Sequence, residues 1–325
     1  MKTCLITTKT YQNHDNGPGH PENVNRVTSI NTAIDNIKNT EWVETKNFST
    51  KLIELAHDKK YIEKVNNSFP NNGLAFLDSD TIVSQGSKQA SYDAVNSVLT
   101  AIDNVQDGSY QNAFVSIRPP GHHAHSNFAA GFCIFNNIAI GACYLVKNYN
   151  LKRVLILDWD VHRGDGTAEI ISNKKNIFLI SSHQYPFYPP GDGTEKVRGH
   201  FDNIRFFPLK AGLSSNDFHK IYDKIFIEID KYQPEFILIS CGFDAHKNDP
   251  LAEINLESID YEYLTLKVKK YAGKYCAGKI VSVLEGGYDL KSISEMLNSS
   301  ILICFSLIIS SSSILIYFQI FKKFK

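Results

Sequence analysis

The sequence has no surplus of charge of either sign: Lys and Arg number 34, as do Asp and Glu. A balanced chain carries no global field to draw a nucleic acid or an anionic surface, so no direct nucleic-acid partner is expected. No C-x-x-C pair occurs among the six cysteines, Cys4, Cys133, Cys143, Cys241, Cys276 and Cys304. Scattered in this way they read as reduced, mostly buried thiols in a cytosol-like compartment, and a cytoplasmic protein is expected. The N-terminus, MKTCLITTKTY, lacks the long apolar core of a secretory signal. There is no internal repeat and no linker. A chain of 325 residues that is 43% hydrophobic can bury a large core, so one α/β domain is expected.

Charge is also missing locally. From Met296 to Phe321 no residue is charged, and KKFK follows. Such a run could span a bilayer with a basic flank at its boundary. Four consecutive serines at its centre weaken that reading. Packing of Ile301, Leu302 and Phe305 on the core is favoured over membrane contact through 301–321. The chain is therefore divided into a domain over 1–298 and a hydrophobic tail over 299–325.

What is present is a series of short aliphatic runs: CLITT at 4–8, AFVSI at 113–117, VLILD at 154–158, IFLIS at 177–181, FILIS at 236–240 and KIVSVL at 279–284. They predict buried parallel strands separated by helix-length segments. Ala90, Ala94, Val98, Ile102 and Val105 recur at helical spacing, as do Ile134, Ile138 and Ala142. The stretches 66–73 and 185–194 read as loops from their Asn, Pro and Gly content. Five of the strands run directly into polar clusters: RPPGHHAH, WDVHRGDG, SHQ, CGFDAH and EGGYDL. Open parallel sheets bind ligands beyond the carboxyl ends of their strands. These clusters are thus expected to meet at one edge.

Within WDVHRGDG, Asp160 and His162 are two apart, a spacing that can aim both side chains at one metal. Asp244 could supply a third ligand, and two oxygens with one imidazole nitrogen suit Zn²⁺ with a position left for water. Taken alone, D-x-H is usually a solvated loop pattern. A second aspartate after another buried strand weakens that reading, because buried carboxylates need partners. GHHA supplies His122 and His123, either of which could serve as general base and then acid. Asp158 and Asp165 are available to orient them. The pair could equally be structural, or itself ligate metal. Tyr288 of EGGY could donate to an oxyanion, although any one of sixteen tyrosines could be a packed aromatic.

GPGHPENVNR, HDKKYIEKV, RPPGHHAHSNFAAGFCIFNNIAIGA, DWDVHRGDGT, SSHQ, SCGFDAH and LEGGYDL together resemble the histone deacetylase family, above all its class II and bacterial members, which include acetylpolyamine amidohydrolases. The match runs from about His14 to Asp289, seven motifs in the family's order. The resemblance implies an arginase-like α/β fold, a mostly parallel sheet flanked by helices, and one Zn²⁺ per chain held by Asp160, His162 and Asp244. It implies that His122 and His123 are the tandem histidines, paired with Asp158 and Asp165, and that Tyr288 stabilises the transition state. Phe132 and Tyr188, with Gly131 and Gly286, would line an acyl-lysine tunnel, and Arg26 would stand near a product channel. A monovalent cation, K⁺, would sit by Asp158, Asp160, His162 and Ser181. The resemblance stops near Met296.

The expected activity is hydrolysis of an acylated amine such as acetyl-lysine, with an acetylpolyamine as the alternative substrate. Three other readings stand beside it: a two-manganese ureohydrolase, a silent acyl-lysine-binding protein, and a membrane-tethered deacetylase. The ureohydrolase would leave Tyr288 without a task.

Overall fold

The computed structural model describes residues 2–297. The uncharged tail, its suggested packing or membrane contact, and Cys304 lie outside the described residues. Among the described residues no helix is long and apolar enough to cross a membrane. Cys4, Cys133, Cys143, Cys241 and Cys276 are buried and unpaired.

All six aliphatic runs form strands. In chain order the strands are β1 (Thr3–Ile6), β2 (Thr40–Trp42), β3 (Leu74–Phe76), β4 (Ile82–Ser84), β5 (Asn112–Val115), β6 (Val154–Asp158), β7 (Ile177–Gln184), β8 (Ile204–Leu209), β9 (Phe236–Cys241) and β10 (Ile280–Leu284). Eight of them make one sheet in the order β2-β1-β5-β10-β9-β6-β7-β8, and every pairing in it is parallel. β3 and β4 form a separate antiparallel hairpin.

Alternation along each strand divides the core in two. Val154 and Ile156 of β6, with Ala113 and Val115 of β5, face one cluster. There they meet α3 (Ser87–Gln106) and α4 (Asn137–Tyr149), the two segments with helical spacing. Leu155 and Leu157 point the other way, towards α1 (Val24–Ile34), α6 (Ser215–Tyr232), α7 (Ser258–Tyr275) and α8 (Leu290–Met296). A sheet covered on both faces explains why its strands are aliphatic throughout rather than alternating.

Two expectations need correction. The SHQ cluster does not follow its strand: Ser182, His183 and Gln184 continue β7 as buried residues, because β8 pairs with them as far as Gln184–Leu209. The predicted loop at 66–73 starts later, since α2 (Lys59–Ser68) runs through its first three residues. Asn66 is held there by the Tyr92 hydroxyl at 2.9 Å. The helix stops at Phe69, the residue before Pro70, where helical backbone is disfavoured.

Candidate active site

The five strands that lead into polar clusters, β5, β10, β9, β6 and β7, are consecutive in the sheet. Their carboxyl ends therefore converge, and His122, His123, Gly131, Phe132, His162, Tyr188, Gly286 and Tyr288 line one cavity of about 200 Å³. Asp80, Pro120, Phe187 and Leu251 complete it. A larger hollow of about 620 Å³ between α1 and α8 is lined mainly by Ser, Thr and Asn. It holds none of these groups.

At the base, single ligand atoms of Asp160, His162 and Asp244 lie within 4.8 Å of one another. His162 Nδ1 is 3.2 Å from Asp160 Oδ1 and 3.1 Å from Asp244 Oδ2. Burial alone would lower the His162 pKa, but hydrogen bonds to Asp160 and Asp244 push it up to about 10. Burial raises the Asp244 carboxyl and the Asp160 charge adds to this. Burial would raise Asp160 as well, but His122 and His162 hold it below the usual carboxylate range. Two carboxylates, each 0% exposed, attract positive charge strongly and tolerate burial only with a cationic partner. Their remaining oxygens are tied down: Gly286 N donates to Asp160 Oδ2 at 2.7 Å and Val161 N to Asp244 Oδ1 at 2.9 Å. A Cβ on Gly286 would overlap Asp244 Oδ2, so this close backbone approach requires glycine. The donor set, its charge and its cradle fit a divalent cation such as Zn²⁺.

Beside it the two histidines differ. His122 Nδ1 lies 3.1 Å from Asp158 Oδ2. Burial disfavours its charged form, yet Asp160 and Asp158 raise its pKa well above the ordinary value. His123 Nδ1 lies 2.8 Å from Asp165 Oδ1. There burial wins, helped by the charge of His122 and only partly opposed by Asp165, and the pKa falls to about 4. The surroundings of the two adjacent imidazoles thus push their pKa values in opposite directions.

Tyr288 closes the cavity. Its ring meets Phe132 edge-on with centroids 6.1 Å apart, and the Arg26 guanidinium lies 4.9 Å from its centre. Arg26 is fully buried and donates to the carbonyls of Gly287 and Glu285. Phe132 adopts φ 68° and Gly131 φ 55°. A Cβ on Gly131 would strike the His123 ring, so glycine here lets the Phe132 turn pass the imidazole. Tyr188 also lines the cavity, 37% exposed, with its ring edge-on to His123 at 5.2 Å. Ser181 stands outside the cavity, in register with Asp158, its hydroxyl 3.0 Å from His183 Nδ1.

Several residues with no assigned role complete the site. Glu285, fully buried, accepts from the backbone N–H groups of Gly121 at 2.7 Å and His122 at 3.1 Å. Burial pushes its carboxyl up to about 7. The sequence carries a signal for it: Glu285 follows an aliphatic run as Asp158 ends one. Asp249 accepts from Tyr288 N, and Asp80 from Gly131 N at 3.1 Å. Glu22 joins Arg26 and Arg118 behind the site.

The chain is similar to several known proteins. The histone deacetylase domain family matches residues 20–304. The chain is 33% identical over 317 residues to a "Probable deacetylase" of Archaeoglobus fulgidus, covering 93% of this chain and 86% of that one. It is 34% identical over 299 residues to an uncharacterised Synechocystis protein, slr0245, covering 90% and 96%. Among solved structures it is similar to the HDA15 HD domain, with a TM-score of 0.86 and 27% identity over 97% of this chain and 91% of that one.

Proposed function

Since the chain belongs to the histone deacetylase family, we propose that it is a zinc-dependent amidohydrolase that removes an acetyl group from an acylated amine. One observation carries this reading: His162, which groups with Asp160 and Asp244, lines the same cavity as His122, His123 and Tyr288. Zn²⁺ held by that trio would supply Lewis acidity to the amide carbonyl and to a water.

The chain's own residues do the rest. Phe132 and Tyr188 flank the acyl-amine stem and keep bulk water from it. His123, neutral at ordinary pH and fixed through Nδ1, presents Nε2 to take the proton of the attacking water. As the carbonyl carbon gains its bond to the water oxygen, the Tyr288 hydroxyl donates to the oxyanion developing on the substrate. His123 then delivers the proton to the leaving nitrogen, the C–N bond breaks, and a free amine and acetate result. His122 lines the cavity beside His123, its ring fixed through Nδ1 by Asp158. Arg26, behind Tyr288, borders the way out for acetate. Asp158, Asp160, His162 and Ser181 would hold K⁺, some of them through backbone oxygens; the buried, in-register placement of Ser181 beside Asp158 supports this.

Turnover of zinc-loaded protein against acetyl-lysine peptide, acetylputrescine and acetylspermidine tests the reading. Release of acetate from at least one is expected. No release from any of them, with metal bound, rejects it.

A further inference from the structure

Asp165 is gripped on both oxygens by imidazoles. His123 Nδ1 lies 2.8 Å from Oδ1, and His125 Nε2 lies 3.0 Å from Oδ2. An ionised carboxylate only accepts, so both rings donate. Asp158, the partner of His122, is also held on both oxygens, but there the second donor is the backbone N–H of Asp160 at 3.1 Å. In the Asp165 pair a side chain takes that place.

We propose that His125 is a positioning residue for the deacetylation reaction: it locks Asp165 and thereby fixes the His123 ring in the cavity. The inference rests on the reading of His123 as the proton-transfer group. A carboxylate held through one oxygen can swing about its last side-chain torsion, whose preferences are broad. Held through both, it offers His123 one acceptor direction and one ring orientation. The His123 tautomer is fixed by the same bond, with Nδ1 protonated and Nε2 free.

His125 is itself braced. Its ring stacks on Phe128 at 4.1 Å. Its backbone N–H donates to Phe128 O at 3.0 Å, and its carbonyl lies 2.9 Å from His57 Nδ1. The loop does not depend on the His125 ring for its place, because Ser126 is tied separately. Ser126 N and Oγ each donate to Glu169 at 3.0 Å, and Asp58 N donates to Ser126 O at 2.8 Å. Removal of the imidazole therefore leaves these loop contacts in place while it frees the far oxygen of Asp165 and ends the ring's contacts with Phe128 and Glu169.

His125→Leu removes the donor, whereas His125→Gln keeps an N–H at nearly the same reach. In zinc-loaded protein, His125→Leu is expected to lower kcat about 10-fold, the scale for losing a group that orients a site histidine. KM and melting temperature should hold, and His125→Gln should restore most of the rate. The His123 Nδ1–H resonance in proton NMR, a readout independent of turnover, should broaden or shift in the Leu variant and return in the Gln variant. Unchanged kcat and an unchanged resonance in His125→Leu would overturn the proposal. So would a loss that tracks melting temperature and is not restored by Gln. Should wild-type protein turn over no acetylated amine, the functional reading fails, and the resonance alone decides whether His125 positions His123.

Discussion

Tyr288 donates its backbone N–H to Asp249 Oδ2 at 2.7 Å. The other oxygen of Asp249 accepts from Leu251 N at 3.0 Å, so one buried carboxylate ties a wall of the cavity to the residue that closes it. Burial pushes this carboxyl up to about 7, and the charge of Asp244 adds to the rise. Asp249→Ala should free the Tyr288 turn and lower kcat about 10-fold, the cost typical of losing a supporting partner. Bound zinc should be unchanged. Loss of zinc in proportion to loss of rate would place Asp249 in the support of the metal instead.

Asp244→Ala removes one of three closely spaced ligand atoms. Elemental analysis should find zinc largely absent from the variant, while wild type carries one ion per chain. Full occupancy would take Asp244 out of the ligand set.

Tyr288→Phe keeps the ring against Phe132 and Arg26 but removes the hydroxyl. A donor that matters mainly in the transition state should affect kcat far more than KM. The expected loss is about 100-fold, the scale for one oxyanion donor. Near-normal kcat would end the assignment.

His57 predicts a pH dependence of stability. Its Nε2 accepts the N–H of Asn136 at 2.8 Å, while Nδ1 faces the His125 carbonyl at 2.9 Å. The neutral ring satisfies both, whereas a protonated ring would set N–H against N–H. Burial lowers its pKa from 6.5 to about 4. Its contribution is therefore fully present above about 6.5 and is lost as pH falls through about 4, since the unfolded chain binds the proton more readily. The loss is at most roughly 3 kcal/mol for this one group. His57→Gln can make both bonds without titrating, so its stability should fall less steeply between pH 6.5 and 4, by about one proton. An unchanged slope in thermal melts across that range would reject the account.

The centre of the fold was legible because doubly covered strands must be aliphatic, as VLILD and FILIS are. The edges were not. β2 is Thr-Glu-Trp, pairs only with β1 among the described residues and is partly exposed. β8 contains Arg205 and Pro208 and, among the described residues, pairs only with β7. An edge tolerates proline and charge, which erases the pattern that marks a central strand. The same division holds in the site. Asp160, His162, Asp244, His122, His123 and Tyr288 could be picked out because polar residues directly follow buried strands. Asp249 and Asp80 could not, and His125, though within the RPPGHHAH cluster, gave no sign of its task, since their roles lie in partners 39, 51 and 40 residues away. Those distances close only when the chain has folded.

The strand order has a consequence for synthesis. β5 and β6 are successive in the sheet-forming chain, yet β10 and β9, the latest strands among the described residues, stand between them. The loop bearing His122 and His123 and the loop bearing Asp158 to Asp165 therefore belong to two half-sheets that are joined only when residues 236–284 arrive. A nascent or clipped chain ending before Phe236 would have two central strands with unpaired inner edges, which are ready templates for association with other chains. Such a fragment would carry both histidines and most of the acidic residues but no assembled site. Formation of the site is thus tied to completion of the sheet, and long-range closure of this kind is slow relative to local contacts. Activity in a refolding or translation experiment should consequently appear last, after helical signal and after most of the chain is compact.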